Sequence, residues 1–254
     1  MTDSNSIHDA LLIVGHGTRD TQGQRQFMKV VHDVAQAVST ASVLPAFLEL
    51  AEPTIDEAID LARQRGARRL TVMPLLLFAA GHAKRDIPDA VRLAARRHNG
   101  LSTQILPHLG CHCDIIELSA VRYRETTAQS ADFSDRDTAL VMVGRGSRDA
   151  EATAEMHEFT RRRVKITPVQ RVETCFAAMA TPRLEDTLAQ VMELPVRLVV
   201  VQPHLLFSGD LLSRIQSTAH EIGRCNPRQH WAVSGPLGPH WLLVSAIKGI
   251  SGFA

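Results

Sequence analysis

The chain contains itself twice, and a repeat of this length commits it to two lobes built on one plan. Shifting the sequence by 129 residues lays Leu12-Ile13-Val14-Gly15-His16-Gly17-Thr18-Arg19-Asp20 on Val141-Met142-Val143-Gly144-Arg145-Gly146-Ser147-Arg148-Asp149. The same shift places Ala46-Phe47-Leu48-Glu49-Leu50-Ala51-Glu52-Pro53 on Cys175-Phe176-Ala177-Ala178-Met179-Ala180-Thr181-Pro182, and Pro74-Leu75-Leu76-Leu77-Phe78 on Pro203-His204-Leu205-Leu206-Phe207. Chance does not hold one register across three segments. Within it, His16 faces Arg145, Glu49 faces Ala178 and His82 faces Leu211. Two imidazoles and a carboxylate therefore stand in the first copy only.

The 254 residues suffice for two lobes of about 125 residues, each large enough for its own core. The expected division is a first lobe over 1–125, a linker over 126–139 centred on polar Thr126 to Asp137, and a second lobe over 140–254. With 28 basic and 27 acidic side chains the chain lacks the excess cations of a general nucleic-acid binder. Met1 to Ser6 carries no basic start ahead of an apolar run, and no apolar stretch approaches the roughly 18 residues that cross a bilayer. A cytoplasmic protein without a membrane partner is the expectation. Cys111, Cys113, Cys175 and Cys225 are too few for a disulfide framework, and Cys111-His112-Cys113 lacks the second ligand pair of a structural metal site.

Short apolar runs alternate with helical periodicity in each half, which predicts an α/β fold with a parallel sheet flanked by helices. The strands read as Leu11 to Val14, Val43 to Leu48, Leu70 to Pro74 and Thr103 to Leu106, then Leu140 to Val143, Arg171 to Phe176, Leu198 to Gln202 and Trp231 to Ser234. Phe27, Val30, Val31, Val34 and Val38 recur at helical spacing, as do Ile55, Ala58, Ile59 and Ala62. Pro53 and Pro88 are placed near the first turns of helices. On this plan His16 follows the first strand, Glu49 ends the second and His82 lies in the loop after the third. All three fall at the carboxyl edge where open α/β sheets hold their ligands.

Each residue has a plainer reading beside the functional one. Gly15-His16-Gly17 is a turn whose histidine is either a ligand or merely exposed; the second copy keeps both glycines and drops the imidazole, so the turn does not need it. His82 is a ligand or a helix-start residue, and Leu211 shows that the backbone accepts an apolar side chain there. Glu49, read as part of an apolar strand, needs a metal, a histidine or a salt-bridge partner to stay ionised. Arg19 with Asp20, repeated as Arg148 with Asp149, is a structural pair or an anion contact. Lys84 and Arg85, the latter repeated as Arg214, are solvated charges or contacts for a polyanion. A shift of 128 residues aligns His112 with His240, and a histidine kept in both copies reads as structural. His204, opposite Leu75, is unique to the second copy and is a candidate to face the cleft, with nothing else in the sequence attaching it to a site.

Gly15-His16-Gly17-Thr18-Arg19, the segment Phe47 to Pro53, and Phe78-Ala79-Ala80-Gly81-His82 with Asp86-Ile87-Pro88 together resemble the class II chelatases, the sirohydrochlorin cobalt- and iron-chelatases. The resemblance covers nearly the whole chain. It implies two tandem flavodoxin-like lobes facing each other across a cleft, no organic cofactor, and insertion of Co²⁺ or Fe²⁺ into sirohydrochlorin, a tetrapyrrole bearing eight carboxylates, toward cobalamin or sirohaem. It also implies that His16 and His82 bind the metal with Glu49 at the same site, once per chain. The motifs lean toward cobalt, and the chain has no cysteine-rich tail for an iron–sulfur centre.

The chemistry suits that residue set. Neutral imidazole ligates borderline metals and titrates near neutrality, so a histidine can both hold the ion and take a pyrrole proton. Lys84, Arg85 and Arg19 are the candidates for the substrate carboxylates. A non-enzymatic metal or tetrapyrrole carrier would use the same residues. A two-lobed small-ligand receptor would leave the one-sided histidines unexplained. Either a monomer or a homodimer is compatible with two fused lobes.

Overall fold

The computed structural model describes residues 9–78, 81–128 and 133–253, with the side chains of residues 82 and 83 outside that description. Eight strands form two four-stranded, all-parallel sheets. The first contains β1 (Asp9–Gly15), β2 (Ser42–Phe47), β3 (Arg69–Pro74) and β4 (Ser102–Ile105) in the order β2-β1-β3-β4. The second repeats that order with β5 (Thr138–Gly144), β6 (Arg171–Phe176), β7 (Leu198–Pro203) and β8 (His230–Val233) as β6-β5-β7-β8. All eight strands fall where the apolar runs put them. The first three strands of each copy start 129 residues apart and the fourth pair 128, so both registers seen in the sequence are real.

Burial explains the residue choice. A central strand of a covered parallel sheet is apolar on both faces, and Ala10 to Val14 of β1 are fully buried, as are Leu140 to Val143 of β5. Edge strand β4 is four residues long and exposed throughout, a short edge that offers little template for pairing with another chain. Helix α1 (Thr21–Ala37) buries Phe27, Val30, Val31 and Val34, the stripe read from the sequence. Helix α2 (Ile55–Gln64) buries Ile55, Ala58, Ile59 and Ala62. Its capping box joins Thr54 and Glu57, so Pro53 sits one residue ahead of the cap and not inside the first turn. Helix α3 (Ile87–Ala95) carries Pro88 in its first turn, as expected.

The remaining helices are α4 (Cys113–Ala128), α5 (Ala150–Arg163), α6 (Leu184–Met192), α7 (Asp210–Gly223) and α8 (Trp241–Ser251). Two of them depart from the division read in the sequence. The compact units are Met1–Gly110 with Pro239–Ala254, and Cys111–Gly238. Helix α4, which follows the first sheet in the chain, thus belongs to the second unit. There it packs on α5, β7 and β8. Its polar anchors agree: the Gln202 amide donates to the Ser119 carbonyl at 2.6 Å, Arg163 Nε donates to the Ser119 hydroxyl at 3.2 Å, and the Arg122 guanidinium donates to the Leu237 carbonyl at 2.6 Å. Helix α8 belongs to the first unit, against α1 and β3, where Lys248 Nζ donates to the Ala37 carbonyl at 2.9 Å.

His112 and His240 owe their retention to these helices. Nδ1 of His240 accepts the Leu242 amide at 3.2 Å and caps α8; Nδ1 of His112 accepts the Asp114 amide at 3.2 Å at the start of α4. Both are helix-start residues, in keeping with the structural reading.

His204 proves to be a core residue. It is 3 % exposed and its ring lies 3.9 Å from that of Phe159, centroid to centroid. Burial pushes its pKa down to about 3. The unfolded chain takes up a proton below its ordinary value near 6.5 while the folded chain does not, so stability is lost as pH falls from about 6.5 toward 3. His204→Leu, the residue of the first copy, should therefore gain about 2 kcal/mol at pH 5 relative to its effect at pH 8. Urea midpoints of both proteins at the two pH values measure this, and an equal difference at both would show that the folded ring protonates normally.

Candidate metal centre

The candidate site forms where β1 and β2 run out at the carboxyl edge of the first sheet. Backbone pairing continues past both strand ends. The Leu48 amide donates to the Gly15 carbonyl at 2.9 Å and the Glu49 amide to the His16 carbonyl at 3.1 Å. Residues 16 and 49 are thereby held side by side whatever their side chains. The second copy repeats the pairing, Ala177 to Gly144 at 2.9 Å and Ala178 to Arg145 at 2.9 Å, with no imidazole or carboxylate on it.

Glycine permits the approach. Gly17 has φ +98°, and a Cβ there would stand 1.7 Å from the Glu49 carbonyl oxygen; Gly146 has φ +88° and the same 1.7 Å to the Ala178 carbonyl. Downstream, the Thr18 hydroxyl accepts the Asp20 amide at 3.0 Å, and the Gln24 amide donates to the Thr18 carbonyl at 2.6 Å. Asp20 caps α1 by accepting the Gly23 amide at 2.6 Å, and Asp149 caps α5 by accepting the Glu151 amide at 3.0 Å. The repeated aspartate is a helix cap, a duty that its position just ahead of an amphipathic run signalled and the sequence reading passed over.

On this frame His16 Nε2 lies 3.3 Å from Glu49 Oε1. Two adjacent ligands at about 2.1 Å from a metal in a tetrahedral shell are about 3.4 Å apart, so the pair is already spaced to share one ion. The imidazole is largely covered and the carboxylate half exposed, with side-chain exposures of 24 % and 50 %. Glu49 stands beyond the end of β2, in the turn that follows it. It is not the strand carboxylate of the sequence reading, but it does stand beside a histidine, one of the partners that reading asked for.

His82 follows β3 as the first residue of a π-helical turn, His82–Asp86, which runs into α3; a loop was expected there, and the position is the helix start of its plainer reading. Its side chain lies outside the described residues. Lys84 and Arg85 are exposed on that turn, and Arg19 is exposed one turn beyond His16. Arg214, the counterpart of Arg85, donates to the Ala177 carbonyl and so anchors its helix to the sheet edge.

Among the described residues, a second group of ligand-type atoms gathers at His112, Cys113 and Asp114, within 4.8 Å of one another. The capping bond at Nδ1 of His112 occupies the lone pair that a metal would need. Its geometry is that of a helix start.

The CbiX family profile matches residues 10–126 and 139–249, both copies and nearly the whole chain. The chain belongs to the CbiX family. Among CbiX-like relatives, a sirohydrochlorin cobaltochelatase of Priestia megaterium is 27 % identical over 241 residues, covering 94 % of this chain and 78 % of that protein. A sirohydrochlorin ferrochelatase of the same organism is 28 % identical over 240 residues, covering 94 % and 88 %. The structure of SirB from Bacillus subtilis with Fe³⁺ superposes with a TM-score of 0.85 at 25 % identity, covering 95 % of this chain and 93 % of that one. It spans both copies, as the family profile does, and it bears out the doubled α/β fold expected from the sequence. No helix among the described residues is long and apolar enough to cross a membrane.

Proposed function

We propose that the protein is a sirohydrochlorin chelatase, inserting Co²⁺ or Fe²⁺ as substrate and releasing the two pyrrole protons. The observation that carries the reading is the one-sided pair: a backbone lock present in both copies bears an imidazole and a carboxylate at ligand spacing in the first copy alone. CbiX relatives named for cobalt and for iron chelation, matched over most of their length, support the same assignment.

In this scheme His16 and His82 hold the ion, and Glu49 completes the shell or orients His16. One imidazole accepts a pyrrole proton as the metal passes from protein to macrocycle. Few ligands, with the Glu49 carboxylate half exposed, suit transfer, since an ion that must be released cannot be held by a closed cage. Arg19, Lys84 and Arg85 meet substrate carboxylates. A cobalt product leads toward cobalamin and an iron product toward sirohaem.

The test is the absorbance change of sirohydrochlorin with Co²⁺ or Fe²⁺ under anaerobic conditions at catalytic protein concentration. Many metallations per chain are expected, and the faster ion identifies the product. Stoichiometric uptake without turnover would make the protein a metal or tetrapyrrole carrier and overturn the proposal.

A further inference from the structure

The residue after Glu49 is strained and exposed at once. Leu50 has φ +62° and is 48 % exposed. Its counterpart Met179 has φ +56° and is 54 % exposed. In the second copy the turn is tight enough for the Ala180 amide to donate to the Ala178 carbonyl at 2.7 Å across Met179. In both copies the carbonyl just ahead of this residue is the one that crowds Gly17 or Gly146.

Glycine or asparagine adopts that conformation at least cost, and bulky side chains avoid it. Water disfavours a large apolar side chain in the same place. Both copies nevertheless hold one. Neither backbone preference nor core packing accounts for leucine and methionine here, and strain of this kind gathers where a ligand is held.

The needs of the substrate complete the inference, which rests on the chelatase reading above. His16, Glu49, Arg19, Lys84 and Arg85 offer charge and lone pairs to the metal and the carboxylates. They offer no apolar area to the flat face of the tetrapyrrole ring. Leu50 immediately follows Glu49 in the chain and supplies that area. We infer that Leu50 is a substrate-contact residue, set by its strained backbone to pack on the macrocycle face beside the metal pair.

Leu50→Gly removes the side chain and relieves the strain, so the Tm should stay within about 2 °C of wild type. The KM for sirohydrochlorin should rise about tenfold, through lost apolar contact, while kcat stays within about twofold. Co²⁺ binding without macrocycle should be unchanged. Leu50→Met, the side chain of the second copy, should restore a KM near wild type. A Leu50→Gly KM within twofold of wild type, or a Leu50→Met variant as impaired as Leu50→Gly, would overturn the inference while leaving the chelatase reading intact. A wild-type protein that fails to metallate sirohydrochlorin would remove the chelatase reading, and this inference with it.

Discussion

Gly17→Ala and Gly146→Ala should each destabilise the protein by about 3 kcal/mol or more, and by closely similar amounts. In both copies a methyl group would stand 1.7 Å from a backbone carbonyl oxygen, on a residue already at positive φ. No side-chain rotation relieves such a contact; a strand end has to move, and forced backbone shifts combined with left-handed alanine reach that cost. Urea midpoints measure the pair. The two variants should then part in function. Gly17→Ala pushes residue 49 away from residue 16 and should weaken Co²⁺ binding by the folded protein about tenfold or more, whereas Gly146→Ala acts where Arg145 and Ala178 stand and should leave metal affinity alone. Wild-type stability in either variant would show that the turn opens without penalty, and equal loss of metal affinity in both would break the link between the lock and the site.

His16→Ala should lower the rate of sirohydrochlorin metallation at least about a hundredfold, since it removes the proposed metal ligand and proton acceptor together. The backbone lock survives the substitution, because the second copy keeps it with arginine at that position. Stability should therefore change little, which separates loss of chemistry from loss of fold. Arg145→Ala is the matched control and should bind Co²⁺ as wild type does. A His16→Ala protein metallating at the wild-type rate would mean that the asymmetry between the copies has no catalytic meaning.

Much of this could be read before any coordinates. The central runs became strands because a strand covered on both faces must be apolar along its length, and no polar residue interrupts Ala10 to Val14 or Leu140 to Val143. The retained pair His112 and His240 pointed to structural duty, and capping is that duty. Other features were hidden for physical reasons. Val43 to Leu48 with Glu49 at its end reads as strand, because nothing in the leucine that follows announces positive φ and a turn. The helical turn His82–Asp86 follows a glycine and carries Lys84-Arg85-Asp86, a composition that reads as loop. Periodicity marked amphipathic helices, yet a buried stripe records only that it is covered, not which sheet covers it. The membership of α4 and α8 was therefore out of reach.

That exchange of helices has a consequence for how the protein is made. The unit bearing His16 and Glu49 is written in two pieces of the chain, and its last helix, Trp241–Ser251, is translated after the entire second unit. At about 5–20 residues per second a ribosome spends roughly ten seconds on the intervening stretch. During that time the first sheet is complete but α1 still lacks its neighbour, while the second unit, uninterrupted in the chain, can close as soon as Gly238 emerges. The later-written unit is thus the first able to finish folding, and the one bearing His16 and Glu49 waits for Trp241–Ser251.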